Sequence, residues 1–277
     1  MAGLFSKAID QLNSENAEFS NPRVFQEYVS ECGFSAKNTA QHISIQTYSQ
    51  LDPQLRSEDL MVFRLGASSG EKGTRFALVK AKTGWSDYFL FDEEIFASCP
   101  EKSIEVDWKD DHLMSFSAIP KLTETSHVNL ALVSGVFEEA LKIETRISIP
   151  ATGQGTYNFS VKPHNQLEAK WDHISGQVEI DSIFSGIRNG RRCLFILEAK
   201  SGRKLDSLAK HKLMYPILAI APQVSAEYTI VPVYLRIKED AGSIRFYVAE
   251  CQAPGNGSEI FINSLQCETA CIVTISK

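Results

Sequence analysis

Between Gly176 and Lys200 the chain alternates polar and apolar residues, reverses at Asn189-Gly190 and returns through an apolar run. Few folds other than a single β-hairpin accommodate that order. From Gly176 to Phe184 the period is two: Val178 and Ile180 fall on one side of a strand, and Gln177, Glu179 and Asp181 on the other. Asn-Gly is a strong two-residue reversal signal, because both central positions of a type I′ turn need positive φ. The return strand, Cys193 to Lys200, is apolar until its end, where Glu198 and Lys200 share a face. Two carboxylates, Asp181 and Glu198, and one lysine are thereby gathered at one place.

Those residue types suit one kind of chemistry. Cleaving a phosphodiester calls for a hard divalent cation with oxygen ligands, which neutralises developing charge and acidifies an attacking water. Asp181 and Glu198 can supply carboxylate oxygens, and the backbone carbonyl of Ala199 a further one. Lys200 beside them can orient the water, help deprotonate it, or offset phosphate charge. An acid and a lysine at the end of an oily strand are costly to bury unless they are paired or bind a metal. Glu179, on the face of Asp181, is a further ligand candidate, and so is Glu168, in a short helix expected over 165–171. His173 and His211 can shuttle protons or contact phosphate, but read more simply as surface histidines.

Asp181 followed seventeen residues later by Glu198-Ala199-Lys200 resembles the PD-(D/E)XK nuclease superfamily, the fold of many type II restriction endonucleases. In that family an acid on the second core strand precedes a (D/E)-x-K triplet on the third. The resemblance covers about residues 127 to 237, and departs from the motif in having Ile180 where a proline often precedes the acid. It implies an α+β fold with a restriction-endonuclease-like αβββαβ core, in which helices flank a mixed central sheet. It also implies a Mg²⁺-dependent DNA endonuclease that hydrolyses phosphodiester bonds at a specific duplex sequence, with Mn²⁺ able to substitute. Asp181 and Glu198 would be the metal ligands and Lys200 the catalytic lysine. Double-stranded DNA is the implied substrate and a cognate DNA methyltransferase the implied partner. One site per chain suggests a homodimer for cutting both strands. A repair, junction-resolving or transposon-end nuclease of the same fold remains an alternative. So do a non-catalytic DNA-binding protein and an unrelated α/β module in which Glu198 and Lys200 form a surface ion pair.

The flanking pattern agrees with such a core. Apolar spacings of three and four predict a helix from Val128 to Lys142, and strands are expected at Ile143–Ile149 and Thr156–Val161, separated by a turn-rich loop over 150–155. A helix is expected over 204–220, with Leu205, Leu208, Leu213 and Ile217 facing the core. A strand is expected at Tyr228–Leu235, with Pro232 arguing for an edge or an irregularity. From Arg188 to Lys212 eight Lys or Arg stand against two acids, in a chain whose net charge is -6. That local surplus favours a polyanion, because the contacting surface and not the total governs binding. Arg203, Lys204, Lys210 and Lys212 are the candidates to grip a DNA backbone.

The 277 residues, 43% hydrophobic, divide in this reading into an N-terminal α+β module over 1–120 and a nuclease domain over 121–277. The first part shows a helix expected over Asn21–Val29, strands at Leu60–Leu65 and Arg75–Lys80, and a helix start at Asp92 after Tyr88–Phe91. A sequence-reading nuclease needs base-edge contacts, and the loop from Ser68 to Arg75, with Lys72 and Arg75, is the candidate DNA-facing element. No run approaches the length of a bilayer span and the first residues lack a signal-peptide core, so a cytoplasmic protein is expected. The six cysteines are scattered without a Cys-x-x-Cys pair, and Cys193 reads as a small apolar core residue.

Overall fold

The computed structural model describes residues 3–35, 39–67, 73–252 and 259–276. In chain order the first part carries α1 (Ser6–Glu15), β1 (Arg23–Val24), α2 (Phe25–Glu31), α3 (Pro53–Ser57), β2 (Leu60–Leu65), β3 (Arg75–Lys80), β4 (Phe89–Phe91), α4 (Asp92–Phe96), β5 (Glu101–Ile104) and α5 (Met114–Ser117). Then follow α6 (Glu124–Val133), α7 (Val136–Leu141), β6 (Thr145–Arg146), β7 (Ala151–Val161), β8 (Trp171–Arg188) and β9 (Arg191–Ser201). The chain closes with β10 (Ser207–Ala209), α8 (His211–Ile220), β11 (Tyr228–Asp240), β12 (Ser243–Cys251) and β13 (Cys267–Ser276). The class is mixed α+β. No helix among the described residues is long and apolar enough to cross a membrane.

A large mixed sheet organises the molecule, in the order β5-β13-β12-β11-β9-β8-β6, with β7 also paired to β8. β7, β8 and β9 form an antiparallel meander, while β9 and β11 run parallel, joined by a crossover through α8. The sheet separates two apolar layers, because alternate residues of a strand point to opposite faces. Phe195, Leu197, Val233 and Leu235 pack with Leu130 and Phe137 of α6 and α7 on one face. Ile196 and Tyr234 pack on the other with Leu213 and Ile217 of α8, and with Phe63 and Phe76 of the small sheet β1-β3-β2. Glu198 and Lys200 share the parity of Ile196, so they project on the α8 side.

The expected hairpin forms. β8 ends at Arg188 and β9 starts at Arg191, with Asn189 at φ 51° and Gly190 at φ 68°, the signs a type I′ turn requires. Strand β8 is longer than expected and starts at Trp171, so the helix expected over 165–171 is not formed. The loop expected at 150–155 is instead the start of β7, which lies at the sheet edge, where its glycines need no packing partner on the open side. The helix expected from 128 to 142 is two helices, broken at Gly135 with φ 81°. The helix expected over 204–220 is shorter, because Ser207–Ala209 pairs with β4 before α8 begins. Pro232 lies inside the sheet. β12 pairs with β11 only from Val233 onward, which leaves one side open at the ring that lacks an N–H. The helix expected at Asn21 starts at Phe25, after a short bridge to β3.

Strand pairing crosses the boundary placed at 120. β5 joins the large sheet beside β13, and β4 pairs with β10 in the register Phe91–Ser207, Leu90–Leu208 and Phe89–Ala209. Cys193 is buried, as its apolar reading expects.

Candidate active site

At the end of β9 the chain places a fully buried carboxylate between two lysines. Glu198 is 1% exposed, and its Oε1 lies 2.8 Å from Lys200 Nζ and 3.6 Å from Lys212 Nζ. At that distance Lys200 and Glu198 form a close, buried ion pair. Burial raises the Glu198 carboxyl to about 7, against the pull of Lys212 and Lys200. Lys200 is raised above its ordinary value: burial opposes its charge, but Glu198, Asp181 and Glu124 together outweigh it.

Asp181 enters through an irregularity in β8. The β7–β8 register passes from Ala151–Ile183 to Gly153–Ile180, two steps on β7 against three on β8. Such a bulge re-aims side chains. The β8–β9 ladder ends at the Ser182–Leu197 pair, and beyond it Asp181 Oδ2 accepts a hydrogen bond of 3.0 Å from the Ala199 N–H. The same Oδ2 is 3.9 Å from Lys200 Nζ. A strand residue directs its N–H and C=O to the same side, so the Ala199 carbonyl faces the gap beside Asp181.

The three motif residues expected to meet do so, and two further residues join them. Lys212, expected to contact a DNA backbone, projects from the first turn of α8 towards Glu198. Glu124, at the start of α6, accepts a hydrogen bond of 2.6 Å from the Ser201 N–H. Neither role has a local signal in the sequence, because each residue arrives from another element.

The remaining candidates separate. Glu168 is exposed in the turn before β8, and no described contact joins it to the cluster. Glu179 is exposed on β8 and lines a cavity beside Lys212. Lys210 is 3% exposed and its Nζ donates to the Asn263 carbonyl at 3.0 Å, so it is a core lysine and not a DNA contact. Burial lowers it to about 8. Arg203 and Lys204 are exposed on the loop after β9, with no acidic side chain within ion-pair distance among the described residues. His173 and His211, expected at the surface, are both buried, because the small sheet and its flanking loops cover β8 and α8. Arg75 donates to the Asp172 carbonyl at 2.7 Å, which commits it to holding β3 against β8. Ser68–Lys72 of the same loop lie outside the described residues.

A buried network fixes the loop that links Lys200 to α8. Asp92, fully buried at the start of α4, accepts from Tyr234 Oη at 2.7 Å and from the Asp206 N–H at 2.8 Å, and lies 3.5 Å from Arg236 Nε. Arg236 in turn donates to the Lys204 carbonyl.

A family model covers residues 91–266, more than half of the chain. The chain belongs to DUF6997, a domain of unknown function. No curated protein and no solved structure matches the chain. The DUF6997 span contains all five charged residues of the cluster and the Asp92 network, and leaves out α1 to α3 and the small sheet.

Among the described residues no set of three or more His, Cys, Asp or Glu side chains converges as a metal cage. The donors at the cluster do fit Mg²⁺, which retains several waters and is bound through one or two carboxylates plus substrate phosphate.

Proposed function

We propose that this DUF6997 chain is a Mg²⁺-dependent DNA endonuclease with a restriction-endonuclease-like core, resembling type II restriction enzymes. The observation that carries the reading is the meeting of Asp181, Glu198 and Lys200 where the β8–β9 ladder ends. The order of elements supports it: helices, three antiparallel strands, a helix, then a strand parallel to the third. Asp181, Glu198 and the Ala199 carbonyl would hold the cation. When bound, Mg²⁺ supplies neutralisation of phosphate charge and acidification of water.

The chain's own residues do the rest. Lys200, whose proton is held firmly, orients the attacking water and offsets charge on the phosphate through its N–H donors. Lys212 keeps Glu198 towards the ionised form that binds a cation. Arg203 and Lys204 position the backbone of double-stranded DNA. Cutting both strands calls for two copies of the chain, and a DNA methyltransferase for the same site would protect the host. Asp181, Glu198 and Lys200 are all retained, which favours a catalyst over a non-catalytic binder.

The test is incubation of the purified chain with long unmethylated duplex DNA and Mg²⁺ or Mn²⁺, beside Lys200→Ala and an EDTA control, read on a gel. Discrete fragments from the wild type alone support the reading. Cleavage confined to branched DNA would move the assignment to a repair or junction-resolving nuclease. Intact DNA of both kinds would overturn it.

A further inference from the structure

A cavity of about 240 Å³ opens directly beside the charge cluster, and its wall includes Lys212, whose Nζ is 3.6 Å from Glu198. Ligand pockets for drug-sized molecules run from roughly 300 Å³ upward, so this space suits a single heterocycle. Three rings, His173, His211 and Tyr215, stand in an otherwise mostly polar lining, with Phe159 behind them. His173 stacks on Phe159 with centroids 4.4 Å apart, and Tyr215 stands edge-on to that pair. His211 lies 5.3 Å from the Tyr215 ring.

Both histidines carry unanswered polar atoms. His173 and His211, in side chains 3% and 5% exposed, each keep a buried Nδ1 without a well-aligned partner, while His173 Nε2 packs against the Gly176 backbone and His211 lies beside the Ile45 backbone. A buried polar group left unpaired costs about 1–3 kcal/mol, so such groups in a cavity wall point to something that fills it. Burial lowers His173 to about 4 and His211 to about 3, so both imidazoles are neutral at neutral pH. A neutral imidazole offers one donor and one acceptor, which complements the mixed edge of a nucleobase. An anion is disfavoured: Lys212 is already committed to Glu198, Arg64 donates to Ser44 Oγ at 3.2 Å, and Glu179 adds negative charge to the lining.

We propose that this cavity receives one nucleobase extruded from the DNA strand next to the cleaved phosphate, with His173 and His211 bonding its edge and the lining rings packing against its face. The inference rests on the nuclease reading for the source of the base. Extrusion about the backbone costs a few kcal/mol and least at a mismatch. The lining includes Ser44–Gln46 and Arg64, outside the span that matches DUF6997, so base preference would be set in part by the N-terminal part of the chain.

The experiment uses the full chain in EDTA, with an end-labelled duplex of mixed sequence carrying one mismatched 2-aminopurine. Anisotropy of the end label reads binding, and 2-aminopurine emission reads unstacking. Two variants fill or blunt the cavity: Gln46→Trp at its half-buried mouth, and His173→Leu on its wall. The expected result is a severalfold rise in emission on binding, lost in Gln46→Trp while the anisotropy change persists. DNA bound without that rise, or a rise that neither variant reduces, overturns the inference and leaves the nuclease reading standing. Absence of DNA binding counts against the nuclease reading instead, and free 2-aminopurine deoxyriboside then decides for the cavity. Emission quenched by the wild type and not by Gln46→Trp supports a base site fed by free nucleosides, and no quenching overturns it.

Discussion

Lys212 reaches Glu198 from a different element, its Nζ 3.6 Å from Oε1, so the buried carboxylate is bracketed by one lysine of its own strand and one of α8. The second lysine makes the buried acid ionisable near neutrality.

Lys212→Ala removes one of the two cations that oppose burial at Glu198. Its carboxyl then rises above about 7, and on the proposed function the acid limb of the pH–rate profile moves to higher pH. The same reading expects kcat to fall by roughly 10²-fold near neutral pH, the size of losing one preorganised charge. Lys212→Arg keeps the limb near its wild-type position. Cleavage rates across about pH 6 to 9 check both statements.

Proton linkage gives a second prediction. Glu198 sits at about 7 in the folded chain against an ordinary value of 4.5, so between those pH values the folded state holds a proton that the unfolded chain has lost. Its contribution to stability therefore falls as pH rises through that window. On the proposed function Mg²⁺ needs the ionised form, so Mg²⁺ at a hundredfold excess over Kd stabilises the protein by about 2.7 kcal/mol at pH 8 and by less at pH 5.5. Glu198→Gln abolishes the increment. Thermal unfolding with and without Mg²⁺ at the two pH values decides, and equal increments would remove Glu198 from the metal site.

The basic segment divides into surface and core. Arg203→Ala and Lys204→Ala each weaken DNA binding and reduce the salt slope by about 1 if they contact phosphate. Lys210→Ala leaves the salt slope alone and lowers the urea midpoint, since its ammonium is bonded to the Asn263 carbonyl inside the fold. Binding isotherms over a salt series separate the two classes.

Gly66 is a point of close backbone approach. A Cβ there would lie 2.0 Å from the Ile174 carbonyl oxygen and 2.7 Å from the Gly176 nitrogen, beside the Ala67–Ile174 bridge. Backbone cannot yield as a side-chain tip can. Gly66→Ala therefore loosens the seam between β2 and β8, at a cost of about 2–4 kcal/mol, and thermal unfolding measures it.

How far the sequence could be read follows the range of the interactions involved. The β8–β9 hairpin was legible because period-two alternation and Asn-Gly are local, and Glu198 and Lys200 stood out as charges closing an oily strand. The segment 204–210 was misread because Leu205 and Leu208 mimic helical spacing, while pairing with β4 is decided by residues more than a hundred positions away. The histidines looked like surface residues for the same reason: what covers them comes from the first part of the chain. Lys212 and Lys210, two residues apart and alike in composition, differ only in which cavity each faces.

The three-residue pairing of β4 with β10 bears on how the protein comes together. It closes a loop of more than a hundred residues, and the hydrogen bond from the Asp206 N–H to Asp92 spans 114 positions. Contacts of that separation carry a large closure entropy before they return any stabilisation, and they slow folding. α8, which carries Lys212, follows β10 directly, so that distant closure and the packing of α8 on the large sheet together set where Lys212 meets Glu198.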